Sequence, residues 1–159
     1  MPQTSCFYWL SSEVWGQIAE EVSHRYPLET GGVLLGYWSA REEPVITEMI
    51  GPGPKAYHGR YRFEPDYRHH ETEINRRIAA CSHRLSYLGD WHSHPGGHAT
   101  LSPRDKRTLR RIARHKPAQV ARPIMAIIAT DGICVWQYVR TIRRVWRRII
   151  AVERLECAD

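Results

Sequence analysis

After Ser11 and Ser12, apolar positions recur every four residues: Val14, Ile18, Val22 and Tyr26. That spacing lines one face of an α-helix. Either serine can supply the N-cap oxygen, and Pro27, which cannot extend the hydrogen-bond ladder, ends the segment. The period then changes. "GGVLLGYW" is a short apolar run behind a glycine pair and predicts a buried strand, and "PVITEMI" predicts the next. "GPGPKAYHGRYRFEPD" has the Gly and Pro content of a long loop. Asp66 opens a polar helix reaching about His83, with Ile74, Ile78 and Cys81 along one side.

"SYLGDW" predicts a strand that runs into a histidine-rich segment. "SPRDKRTLRRIARH" then reads as a helix with Ser102 at the N-cap, Pro103 in the first turn, and Leu109 and Ile112 facing inward. "PIMAIIAT" and "ICVWQYV" predict two strands joined through Asp131-Gly132, a dipeptide that favours tight hairpin turns. From residue 141 two readings stay open. Ile142, Val145, Trp146, Ile149 and Ile150 fall at helical spacing, yet most are β-branched or aromatic, which favours a strand. The order αββ-α-β-α-ββ predicts an α+β domain, a mixed sheet flanked by helices.

A length of 159 residues and a hydrophobic content of 42% suit one domain with a real core and exclude disorder by composition. No apolar run approaches the roughly 20 residues of a membrane span. "MPQTSCFYWLSSEVW" lacks the basic start and apolar stretch of a secretory signal, so a cytoplasmic protein with no membrane partner is expected. Cys6, Cys81, Cys134 and Cys157 form no CxxC pair, which argues against a thiolate zinc site or a disulfide framework and suits a reducing cytosol. Net charge is +6, concentrated in "RDKRTLRRIARHK" and "RTIRRVWRRII". No nucleic-acid motif accompanies these arginines. They read as solvated faces, and nucleic acid is not expected as a partner; an acidic protein could use the same charge. Trp9, Trp15, Trp38, Trp136 and Trp146 read as core or partly buried surface.

The segment "GDWHSHPGGHATLSPRD" crowds imidazoles and carboxylates around a Gly-Gly pair. In an extended chain His92 and His94 point to the same side, so two imidazoles can converge on one ion. Asp105 lies one turn inside the next helix, and the glycines let the chain fold back towards it. Two histidines and a carboxylate suit catalytic zinc, which leaves a fourth position to water. Such a water needs a proton acceptor, and the developing oxyanion needs a donor. Glu29, in "ETGGVLLG", is the candidate for the first task, and Ser102 for the second. Plainer readings stand beside these. Ser102 to Asp105 has the spacing of a capping box, Glu29 could cap or salt-bridge near a turn, and the histidine pair could be a polar strand end. The coincidence of all five residues favours chemistry, and the helix start can itself aim Asp105. Asp90, beside Trp91, is placed off the histidine face and outside the ligand set. His98 reads as a solvated loop residue, and His58, His69 and His70 as surface.

"HSHPGGHATLSPRD" matches His-x-His-x7-Ser-x-x-Asp and so resembles the JAMM signature of the MPN metalloproteases. "ETGGVLLG" is similar to that family's upstream glutamate segment. The frame "GPGPKAYHGRYRFEPD … YLGDWHSHP" is similar to small bacterial members, some of which sit beside ubiquitin-like conjugation enzymes in anti-phage operons. The resemblance covers roughly residues 10 to 140. It implies His92, His94 and Asp105 as ligands of one Zn2+ per chain, Glu29 as general acid/base and Ser102 as oxyanion stabiliser. It implies an α/β/α-layered fold, a curved mixed sheet with helices on both sides, in a single domain over 1–159, with a strand from 141. The implied activity is that of a zinc-dependent isopeptidase or peptidase, deubiquitinase-like, cleaving after the C-terminal tail of a ubiquitin-like or similarly conjugated protein. Enzymes like the E1 and E2 of that pathway are the implied partners. The chain lacks the insertions and second zinc ligand set of the eukaryotic lysine-63-specific members, so their linkage specificity is not implied. The rival readings are a non-catalytic MPN scaffold, against which the five site residues argue, and a basic nucleic-acid-binding module.

Overall fold

The computed structural model describes residues 7–139 in full and Val145–Leu155 as a backbone strand. The elements are β1 (Phe7–Ser11), α1 (Ser12–Arg25), β2 (Gly31–Trp38), β3 (Pro44–Ile50), β4 (Tyr57–His58), β5 (Phe63–Glu64), α2 (Tyr67–Ala80), β6 (Ser86–His94), α3 (Pro103–Arg114), β7 (Ile124–Ala129), β8 (Gly132–Val139) and β9 (Val145–Leu155). Local chemistry sets the helix starts: the Ser11 side chain accepts from the Val14 N–H at 3.2 Å, and Asp66 accepts from the His69 N–H at 3.1 Å.

The main sheet runs β1-β3-β2-β6-β7-β8-β9, and β9 pairs in parallel with β1, so the curved sheet closes on itself. β4 and β5 form a separate small hairpin. Alternation along the strands divides the core. Leu34, Ile124 and Ala126 pack in one cluster with Val14 and Ile18 of α1. The intervening residues face the other way, Val33 and Leu35 with Ile74 of α2, and Met125 and Ile127 with Leu109 of α3. α1 therefore covers one face of the sheet, and α2 and α3 cover the other. His92 is registered opposite Ile127 on β7, which places the histidines on the α3 side.

The expected mixed sheet flanked by helices is found. The differences are local. β1 was not anticipated; its parallel partners, β3 and β9, are remote in sequence. The predicted loop over 51–66 contains β4 and β5, whose two-residue strands are too short to show a period. α2 stops at Ala80, because Ser82 and His83 adopt φ of 51° and 60°, outside the helical region. The open question at the C-terminus resolves as a strand from Val145, whereas Ile142 lies outside the described residues. His70 is not at the surface: it is buried on α2, and its Nε2–H donates to the Gly51 carbonyl at 2.8 Å.

Candidate metal centre

β6 carries the histidines through its last three residues. Trp91 and Ser93 are buried while Asp90, His92 and His94 are half-buried, so these last three share one face. This corrects the placement of Asp90, since residues two apart on a strand point the same way. Asp90 nevertheless stands outside the ligand group. Its Oδ1 accepts the Tyr87 hydroxyl at 2.7 Å, and burial pushes its pKa up.

Beyond β6 the chain reverses. The Gly97 N–H donates to the His94 carbonyl at 3.0 Å, and Gly96 takes φ of 71°, a conformation that favours glycine. α3 then begins with both arms of a capping box. The Ser102 hydroxyl accepts the Asp105 N–H at 3.2 Å, and Asp105 Oδ2 accepts the Ser102 N–H at 2.7 Å. The cap locks the Asp105 rotamer, with Oδ1 towards His92.

His92, His94 and Asp105 thereby form a group whose ligand atoms all lie within 4.8 Å of one another. His92 Nε2 is 2.9 Å from His94 Nε2 and 3.2 Å from Asp105 Oδ1, and His94 Nε2 is 3.7 Å from Asp105 Oδ2. Bonds of about 2.0–2.1 Å to a tetrahedral ion put ligand atoms about 3.3 Å apart, so the donor set fits such an ion. The His94 Nδ1–H donates to the His98 carbonyl at 3.1 Å, which leaves the Nε2 lone pair facing the group. Burial and the neighbouring His92 push the His94 pKa down, which favours the neutral imidazole. Burial raises the Asp105 carboxyl, but the hydrogen bonds from His92 and Ser102 outweigh it and bring the value to about 2. Neutral imidazole and ionised carboxylate are the forms that bind a metal.

Glu29 precedes β2, which pairs antiparallel with β6, Gly31 opposite His92. The pairing continues one residue outward: the Ser93 N–H donates to the Thr30 carbonyl at 2.8 Å, and the Thr30 N–H donates to the Ser93 hydroxyl at 3.0 Å. Glu29 follows just beyond this pairing, and its carboxyl is close enough to feel the charges of His92, Asp105 and Arg104. Its backbone is held on the far side as well. The Glu29 N–H donates to the Gly59 carbonyl at 2.8 Å, and the His58 Nδ1–H donates to the Glu29 carbonyl at 3.0 Å. Burial raises the Glu29 pKa; Asp105 adds to this, and His92 and Arg104 oppose it. The glycines of "ETGG" have a steric reason: a Cβ on Gly31 would come within 2.8 Å of both the His92 Cβ and the Phe63 ring. His98 is exposed, and none of His58, His69, His70 or His98 joins the ligand group among the described residues. The structure adds Ser93, His58 and Tyr87 to the surroundings; the Ser93 and His58 contacts reach Thr30 and Glu29 across 63 and 29 positions and carry no local sequence signal, whereas Tyr87 reaches Asp90 three residues on.

A strand-end histidine pair and a capped aspartate, with ligand atoms within 4.8 Å of one another, form a group that could hold a metal ion, a donor set that suits a hydrolase. The comparisons agree. The chain belongs to the prokaryotic homologues of the JAB domain, whose family model matches residues 11–149. It is 36% identical over 149 residues to the probable metalloprotease y4qB of Sinorhizobium fredii, covering 93% of this chain and 90% of that one. It is 30% identical over 123 residues to a CD-NTase/cGAS isopeptidase of Enterobacter hormaechei, covering 77% and 67%. The solution structure of protein DSY2949 from Desulfitobacterium hafniense superimposes with a TM-score of 0.65 over 92% of this chain and 94% of that one; at 18% identity this likeness bears on the fold alone.

Proposed function

We propose that the chain, acting as one domain over 1–159 in the cytosol, is a zinc-dependent peptidase. Its substrate is the bond after the C-terminal tail of a ubiquitin-like protein, or of a protein conjugated in the same way, isopeptide bonds included. The observation that carries the reading is the convergence of His92, His94 and Asp105 at ligand spacing, with the Glu29 carboxyl close enough to feel His92 and Asp105. The names of the relatives, a metalloprotease and isopeptidases of CD-NTase/cGAS, support the reaction class and a conjugated substrate. A conjugation pathway with E1- and E2-like enzymes, in antiviral defence, is the setting we propose, in keeping with the isopeptidase names and the sequence resemblance.

His92 Nε2, His94 Nε2 and the Asp105 carboxylate would hold the ion. Bound there, zinc supplies a polarised scissile carbonyl and a water whose pKa falls to about 7. Glu29 takes the proton of the attacking water and returns it to the leaving amine. The Ser102 hydroxyl has one donor and two acceptor lone pairs, so accepting the Asp105 N–H leaves its O–H able to donate to the oxyanion. Its capping and catalytic roles are compatible.

The test is cleavage of a ubiquitin-like protein fused to, or isopeptide-linked with, a second protein. A zinc chelator is expected to stop it and iodoacetamide to spare it. Neither described free cysteine, Cys81 or Cys134, belongs to the ligand group. Cleavage abolished by iodoacetamide and spared by the chelator would overturn the reaction class.

A further inference from the structure

Asp131 was read from sequence as the first residue of a hairpin turn, and it does sit between β7 and β8. Its side chain, however, reaches across to the loop that follows the histidines. Oδ1 accepts the Ala99 N–H at 3.0 Å, and Oδ2 accepts the His98 Nδ1–H at 3.2 Å. The Ala99 N–H belongs to the same peptide unit as the His98 carbonyl, and that carbonyl accepts the His94 Nδ1–H at 3.1 Å. A planar trans peptide points its N–H and C=O in opposite directions. Asp131 therefore holds one side of the peptide, and His94 the other.

On the far side of Ala99 the chain is pinned again. The Trp136 indole N–H, from β8, donates to the Ala99 carbonyl at 3.1 Å, and Ala99 is itself buried. The loop is thus anchored on the β7–β8 hairpin. The His98–Asp131 ion pair is a lesser part of this, because its side chains are 81% and 50% exposed and exposed pairs contribute little. The Ala99 N–H bond aims the carbonyl. A carboxylate drawing on the N–H also makes the carbonyl of that peptide a better acceptor.

We infer that Asp131 is a positioning residue for the metal centre. Through the 98–99 peptide it fixes the tautomer and orientation of His94, as a carboxylate behind a ligating imidazole does directly. The inference rests on the reading of His92, His94 and Asp105 as the metal site.

The test is zinc affinity of the purified chain by competition with a chromophoric chelator, read beside the melting temperature of the metal-free protein. Asp131→Gly and Asp131→Asn both suit a hairpin turn, but only the second keeps a side-chain oxygen for the Ala99 N–H. Loss of contacts behind a ligating histidine weakens metal binding 10–100-fold. Acting through a peptide, Asp131→Gly is expected near the low end, about 10-fold, with Asp131→Ala similar. Asp131→Asn and His98→Ala are expected to stay within about 3-fold of wild type. Asp131→Gly leaves the buried Ala99 N–H without its acceptor, so its metal-free melting temperature should fall somewhat below that of Asp131→Asn; zinc affinity is read well below both melting temperatures, where each variant is folded, which separates positioning from stability. Equal zinc affinity in wild type, Asp131→Gly and Asp131→Ala overturns this inference and leaves the metal site standing. A wild-type chain that takes up no zinc overturns the metal reading and this inference with it.

Discussion

Ser102→Ala is expected to lower kcat about 10²–10³-fold, a cost of roughly 3–4 kcal/mol in the transition state, with zinc retained. Its effect on stability should be far smaller, about 1 kcal/mol, the usual cost of removing a capping oxygen. The two magnitudes separate the two roles of one hydroxyl. The cap is visible: Ser102 Oγ accepts the Asp105 N–H at 3.2 Å, and the reciprocal arm from the Ser102 N–H to Asp105 is formed. The reciprocal arm is backbone to carboxylate, so it survives the substitution and keeps Asp105 aimed. Substrate affinity should change little, since the oxyanion contact strengthens as charge develops. Turnover near wild type at saturating substrate, with zinc content verified, would assign the hydroxyl to the cap alone.

Glu29→Gln is expected to abolish at least about 10²-fold of activity while fold and zinc persist. The substitution keeps size and backbone, and the bonds that hold residue 29 among the described residues involve its main-chain atoms: its N–H to Gly59 and its carbonyl to His58. What it removes is a carboxylate whose pKa burial has raised, the property wanted in a group that accepts a proton and gives it back. Melting temperature and zinc content measured on the same sample should match wild type. Near-normal turnover would remove Glu29 from the chemistry.

Much of this was legible along the chain because it is local. Val14 and Ile18 repeat at helical spacing and are buried where α1 meets the sheet; His-x-His, a Gly pair and Ser-x-x-Asp need only a strand, a turn and a capped helix to converge. The glycine pair after Glu29 was legible in the sequence, although the atoms that would crowd a Cβ at Gly31, on Trp91, His92 and Phe63, were not. What escaped depends on distant partners. Tyr57–His58 and Phe63–Glu64 pair with each other as a two-stranded hairpin, too briefly for any period. Phe7–Ser11 is a strand because β3 and β9 flank it. The tail carries helical spacing, but pairing with β8 and β1 holds it extended, in keeping with its β-branched content. Asp90 was misplaced by a parity error rather than by tertiary structure. Asp131 could be read only as a turn residue, because its bond to Ala99 spans 32 positions.

Elemental analysis of the purified chain tests the central claim most directly. His92 Nε2, His94 Nε2 and the Asp105 carboxylate are spaced to suit one tetrahedral ion, so about one zinc per chain is expected, lost in His92→Ala and in Asp105→Ala. Removing the zinc from wild type should abolish cleavage, and returning it should restore cleavage. Full and equal zinc in the wild type and both variants would contradict the assignment of these three residues as the metal centre.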